Sequence, residues 1–114
     1  MRRGEIWRAE FDFSDEGKSG FIRPVLIVQD NSFNDSSIKT ILVLPMTPNL
    51  YLLDAPGNVL VHRRESRLAD DSVIIVSNLY AIERGRLKEK ISKIDKLTMR
   101  QVEIGMKLVL GINK

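Results

Sequence analysis

Arg23-Pro24-Val25-Leu26-Ile27-Val28 is an apolar run entered through a guanidinium and a proline, and Ile41-Leu42-Val43-Leu44-Pro45-Met46-Thr47-Pro48 is a second, left through a hydroxyl flanked by prolines. Val25–Val28 and Ile41–Leu44 have the length and branching of strands buried on both faces. Arg23 and Thr47 each precede a proline, which pushes their backbones into extended conformations. A charge and a hydroxyl held on stiff backbone at the rim of a core form a candidate site. A solvated strand edge also explains Arg-Pro, so the spacing alone leaves both readings open.

Short strands recur on either side of these runs. Glu5-Ile6-Trp7-Arg8-Ala9-Glu10-Phe11 alternates, with Trp7, Ala9 and Phe11 on one side and Arg8 and Glu10 on the other, as a half-buried strand does. Asp12 to Ile22 is polar and reads as a loop. Asn31–Ser37 is a turn-rich connection. Ala55-Pro56-Gly57-Asn58 has proline and glycine where a type II turn wants them, and it leads into a strand at Val59-Leu60-Val61. Ser72–Val76 is a further strand. Arg86–Ser92 fits a helix, with Leu87 and Ile91 four apart, or an exposed strand. At the C-terminus, Thr98 with Gln101 is expected to form a capping box flanked by a Leu97–Val102 staple. Val102, Met106, Val109 and Leu110 then line one helix face that Gly111 ends. Gly105 on that stripe predicts close approach to another backbone. The pattern is mainly β with a C-terminal α-helix, a small barrel packed by a helix.

The chain of 114 residues is expected to be one domain, 1–114, with room for a single core. It is 43% hydrophobic and 29% charged, and no apolar stretch approaches a bilayer span, so no membrane association is expected. Met1-Arg2-Arg3 leads into no apolar segment of a signal peptide. The absence of cysteine removes disulfides, thiolate catalysis and most zinc sites, and points to a cytoplasmic protein. Residues 1–57 carry six Lys/Arg against eight Asp/Glu, whereas residues 58–114 carry twelve against seven. A basic half suits a polyanion partner, and equally a solvated basic face.

The chemistry narrows by elimination. His62 is the only histidine and has neither a nucleophile nor a second metal donor marked beside it. Asp70-Asp71-Ser72 reads as a turn before a strand. Gly17-Lys18-Ser19-Gly20 lacks the spacing of a phosphate loop. No metal and no cofactor are expected. Arg23 and Thr47 suit one reaction that needs neither. RNA carries its own nucleophile, the 2′-hydroxyl beside each phosphodiester, and a guanidinium and a hydroxyl can hold the phosphate while charge builds on it. Arginine stays protonated, so Arg23 reads as an electrostatic stabiliser and candidate acid, and the base is not identifiable.

The chain resembles the MazF/PemK family of toxin ribonucleases. Arg2-Arg3-Gly4-Glu5-Ile6-Trp7 is similar to the family's opening, and Gly20-Phe21-Ile22-Arg23-Pro24-Val25-Leu26-Ile27 to its G-x-x-R-P signature. Pro45-Met46-Thr47 fits the strand-end motif. Leu68-Ala69-Asp70-Asp71-Ser72 and Arg86-Leu87-Lys88-Glu89-Lys90-Ile91 fit the later segments. The resemblance implies a small SH3-like β-barrel of the MazF/CcdB type and a homodimer. It also implies metal-independent cleavage of single-stranded RNA to 2′,3′-cyclic phosphate and 5′-hydroxyl ends, and a cognate MazE-like antitoxin. Carried over, the catalytic positions are Arg23 and Thr47; Lys18, Ser19, Gly20 and Asn78 are the expected substrate-binding residues. Two departures stand out: Pro48 stiffens the rim, and Asn49-Leu50-Tyr51-Leu52-Leu53 is an apolar loop that stacks on bases, meets a partner or folds under the barrel. Two rivals remain. A gyrase-poisoning toxin of the same fold would need a tryptophan-bearing C-terminus, and the one tryptophan is Trp7. A non-catalytic RNA-binding barrel would have no need of Arg23 and Thr47 at two strand ends.

Overall fold

The computed structural model describes residues 1–11 and 21–112. Among the described residues seven strands are present: β1 (Glu5–Phe11), β2 (Phe21–Ile27), β3 (Thr40–Thr47), β4 (Val59–Val61), β5 (Ser72–Ile74), β6 (Tyr80–Glu83) and β7 (Leu87–Lys93). Two one-turn helices, α1 (Asn31–Asn34) and α2 (Arg63–Ser66), the long α3 (Lys96–Leu110) and two 3-10 turns, Leu50–Asp54 and Arg84–Arg86, complete the described elements. The strand order is β4-β5-β3-β2-β1-β7, every pairing antiparallel, with β6 on the edge of β3 opposite β2. The early half of β3 pairs with β6 and its last two residues with β5. β3 therefore bridges two sub-sheets, and the whole curls into a half-barrel. The space between the outermost strands β4 and β7 is spanned by α2, whose Ser66 carbonyl accepts a hydrogen bond from the Ser92 hydroxyl of β7.

Alternation distributes the strands between two apolar clusters. Ile6, Leu26, Leu44, Met46, Val61 and Ile74 face one side, where Val102 of α3 joins them. Ala9, Val25, Ile27, Ile41, Val43, Ile82 and Leu87 face the other, with Trp7 and Phe11 packed alongside. Val25–Val28 is buried throughout, as its composition requires of a strand between two layers. In the second run, Leu42 is 37% exposed while Ile41, Val43 and Leu44 are buried, so that strand is not buried on both faces over its whole length.

Several expectations are corrected. Phe21 and Ile22, placed in the loop by polarity, begin β2 opposite Phe11 and Glu10. Arg86–Ser92 is settled as strand because Leu87–Lys93 pairs with β1, with two register shifts along the ladder. β6 gave no signal in the sequence: only Ile82 of its four residues is buried. The capping box is also misplaced by one turn. Asp95 caps α3, accepting the Thr98 N–H at 2.8 Å, while the Thr98 hydroxyl donates to Glu65. Leu97 is 69% exposed and makes no staple. Val109 and Leu110 are likewise exposed, because only the first part of α3 lies against the sheet. Gly111 ends the helix in the left-handed conformation, as expected.

The close approach foreseen at Gly105 is real. A Cβ there would run into the carbonyl of Gly57, and one on Gly57 would lie 3.2 Å from the Gly105 Cα. Gly57 has φ +89°, and the Asn58 N–H reaches the Ala55 carbonyl, the geometry of a type II turn. The turn and the helix thus meet backbone to backbone.

A cavity holding Arg23, Thr47 and Asn78

The β2–β3 ladder runs only from Ile27↔Val43 to Val25↔Pro45. Two residues further on, the register would bring Arg23 level with Thr47, but Pro24 and Pro48 carry no N–H to extend it. β3 instead pairs its final residues with β5, and the Pro45 carbonyl accepts the Ile75 N–H. Arg23 and Thr47 share the parity of Val25 and Val43 and so look onto the same concave face. A cavity of about 690 Å³ opens there, lined by Arg23, Thr47 and Asn78 with Pro45, Ile75 and Tyr80. Among the described residues lining it, Arg23 carries the only charge, and its walls are mainly apolar. Apolar walls strengthen the field of a single cation.

Each polar side chain is set by its neighbours. The Arg23 guanidinium lies over the Phe21 ring, 4.7 Å from its centroid. Stacking occupies a face of the guanidinium and leaves its N–H edge for oxygen acceptors. The Thr47 hydroxyl oxygen accepts the Asn49 N–H at 3.2 Å, so its own proton is directed elsewhere and the group is a donor. Asn49 in turn caps the 3-10 turn Leu50–Asp54 through the Tyr51 N–H. That turn does not fold under the sheet: Tyr51 is 87% exposed. Asn78 enters the cavity from the short connection between β5 and β6, both anchored on β3.

Of the expected site residues, the fold brings Arg23, Thr47 and Asn78 together; Lys18, Ser19 and Gly20 lie outside the described residues. His62 is not at this cavity. It precedes α2 with its side chain largely exposed, 3.7 Å from Asp71. The Arg63 N–H holds the Asp71 carboxyl below its usual value, and the bond ties the start of α2 to the residue before β5. Among the described residues no three His, Cys, Asp or Glu side chains gather as metal donors, and no helix is long and apolar enough to cross a membrane. The sequence reading missed the aromatic wall. Phe11 and Phe21 are stacked with centroids 5.8 Å apart, and Phe11 meets Tyr80 at 5.4 Å. The alternation of β1 had already put Phe11 on this side; Tyr80 had no signal, because β6 itself was not foreseen.

A curled antiparallel sheet with a C-terminal helix on one face and an open concave face on the other is a fold found among solved toxin structures. The structure of the MazE-MazF complex from Deinococcus radiodurans superposes with a TM-score of 0.82 at 16% identity, covering 99% of this chain and 98% of that one. The model of the PemK-like, MazF-like toxins of type II toxin-antitoxin systems matches residues 2–110, and the chain belongs to that family. It is 29% identical to the endoribonuclease MazF of Staphylococcus saprophyticus and 28% identical to that of Staphylococcus epidermidis. Each match covers 99% of this chain and 93% of the relative.

Proposed function

We propose that this chain is a sequence-specific endoribonuclease toxin that cleaves single-stranded RNA in the cytoplasm and is restrained by a cognate MazE-like antitoxin. The observation that carries the reading is the cavity that brings Arg23, within β2, and Thr47, the last residue of β3, each before a proline, to one concave face. The endoribonuclease relatives support the activity, and the MazE-bound neighbour supports the inhibitor.

The reaction uses the substrate's own nucleophile. The ribose 2′-oxygen forms a bond to phosphorus while the bond from phosphorus to the 5′-oxygen breaks, leaving a 2′,3′-cyclic phosphate and a 5′-hydroxyl. Arg23 offers paired N–H donors to the non-bridging oxygens, where negative charge grows as the phosphorane forms. Thr47, its oxygen already engaged by the Asn49 N–H, donates its proton to the same phosphate. The departing 5′-oxygen takes up a proton from Arg23, the candidate acid, which regains one from solvent and so ends the step protonated. The 2′-hydroxyl proton leaves to a base other than Arg23, which enters the step protonated. No metal or cofactor enters the scheme. Asn78, with Lys18, Ser19 and Gly20, is the proposed hold on the strand beside the reacting phosphate.

A two-fold homodimer is part of the reading. Leu97, Ile104 and Leu108 lie on one exposed stripe of α3, apolar surface that a second copy would cover. Mapping cleavage ends on a long mixed-sequence RNA in EDTA tests the chemistry. Cyclic phosphate ends and loss of cutting when deoxyribose replaces the ribose at the cut are expected. A strict Mg²⁺ requirement or 5′-phosphate products would overturn it.

A further inference from the structure

Three of the chain's seven aromatic residues meet at the mouth of the Arg23 cavity, and the phosphate chemistry uses none of them. Phe11 and Phe21 are direct cross-strand partners on β1 and β2. Tyr80 comes from β6, which does not pair with β1, yet its ring lies 5.4 Å from that of Phe11. Only the curl of the sheet brings them together. The result is a ledge of three rings running across the concave face, with the Arg23 guanidinium at one end over Phe21. Rings serving only as core would be buried. Here Tyr80 is 49% exposed, Phe11 and Phe21 are each half-buried, and all three line the open cavity, Phe11 also packing against the apolar cluster beside it.

We infer that Phe21, Phe11 and Tyr80 form a nucleobase-stacking subsite, which seats a base next to the phosphate held by Arg23. The inference rests on the ribonuclease reading and extends it from the backbone to the bases. Phosphate chemistry and base stacking are separate demands: a cation places the backbone but carries no sequence information, whereas an unstacked base offers a flat π face to any aromatic wall. The juxtaposition on this ledge meets both. The backbone is fixed at the Arg23 end, and the base of the adjoining nucleotide is left within reach of the Phe21 ring edge and the exposed face of Tyr80. The base also replaces solvent over apolar walls, which favours extrusion from a stacked strand. Because each base has a π face, the ledge contributes affinity and register, and leaves the choice of base to polar groups such as Asn78.

The test uses binding rather than cutting. A short RNA spanning a mapped cut is made with deoxyribose at the cleaved nucleotide, and a set of the same RNA carries one abasic position at a time. The wild-type protein is expected to lose about tenfold or more in affinity when the nucleotide beside the cut is abasic, and little at distant positions. In Tyr80→Leu and Phe21→Leu, which keep apolar bulk, intact RNA should bind correspondingly more weakly. The abasic penalty at that position should shrink, since the base no longer has a ring to stack on. An abasic penalty equal at all positions in the wild-type protein overturns the ledge, as does a penalty unchanged by the two substitutions in variants with wild-type melting temperature. In either case, cutting of long RNA by the wild-type protein leaves the ribonuclease reading standing. Failure of the wild-type protein both to bind and to cut RNA overturns the two together.

Discussion

The two faces of the sheet are built from the same strands in alternate register and have opposite fates. On one, Leu26, Leu44, Met46 and Ile74 are sealed by α3, whose Gly105 lies against Gly57 with no room for a side chain. On the other, Val25, Ile27, Ile41 and Val43 begin a second cluster that opens, past Pro24 and Pro45, into the cavity of Arg23 and Thr47. Among the described residues no helix covers that end. A face closed by a helix becomes core and tolerates little change in volume. A face left open at a ladder's end retains apolar walls with a few aimed polar groups, the general form of a binding site.

Changes on the open face should therefore alter activity with the fold intact, and changes on the closed face the reverse. The largest effect is expected at Arg23. Arg23→Ala should slow RNA cleavage roughly 10²–10³-fold, the scale for removing one aimed donor, with an unchanged melting temperature. Thr47→Ala should cost a comparable or smaller factor. His62→Ala, outside the cavity, should leave the rate near wild type in the same single-turnover assay; a loss as severe as that of Arg23→Ala would relocate the site.

Next comes the sealed face. Gly105→Ala forces a methyl group into the Gly57 carbonyl and should destabilise by about 1–3 kcal/mol in urea unfolding. RNA cleavage at low temperature should stay near wild type. Full stability in this variant would mean that α3 is free to shift outward, and that the face is not closed in solution.

A smaller loss, about 1 kcal/mol, is expected for Asp95→Ala, which removes the N-cap of α3. Gln101→Ala should change nothing measurable, since Gln101 is exposed and holds no cap. The reverse outcome would restore the capping box at Thr98.

The smallest effect carries a pH signature. Burial pushes the Glu5 carboxyl up, but hydrogen bonds from the Trp7 indole and the Arg2 N–H, with the Lys90 ammonium at 2.9 Å, more than offset this and leave it below its ordinary value. A carboxylate so held stabilises the fold fully above the unfolded value of about 4.3, and the contribution fades as pH falls through the lower folded value. The stability gap between wild type and Glu5→Gln should thus be widest near neutrality and narrow in acid, as read by unfolding at both pH values. A gap that widens in acid would reverse the sign and remove Glu5 from this role.

Much of this division was legible in the sequence where local rules suffice. Alternation in β1, the branched run Val25–Val28, the Pro56-Gly57 turn and the stop at Gly111 each depend on residues close in the chain, and each is where it was expected. The Arg-Pro and Thr-Pro pairs were visible as candidate site residues for the same reason, since proline restricts its neighbour whatever the fold. Gly105 pointed to a close contact without naming its partner.

What the chain alone left open depends on elements distant in sequence. β7 is a strand because β1 offers it a partner, not because Leu87 and Ile91 choose between four and two residues per repeat. Asp95 rather than Thr98 caps α3, and the Thr98 hydroxyl is held by Glu65 of α2, an interaction between separate elements. β6 has one buried side chain and exists as an addition to the edge of β3. The ledge of Phe11, Phe21 and Tyr80 follows from that edge and from the curl of the sheet, which brings two unpaired strands within ring contact. Residue type and local backbone restriction determined which groups could do chemistry. Only tertiary packing decided which of them meet, because strand pairing, sheet curvature and the placing of one helix set distances that no local rule contains.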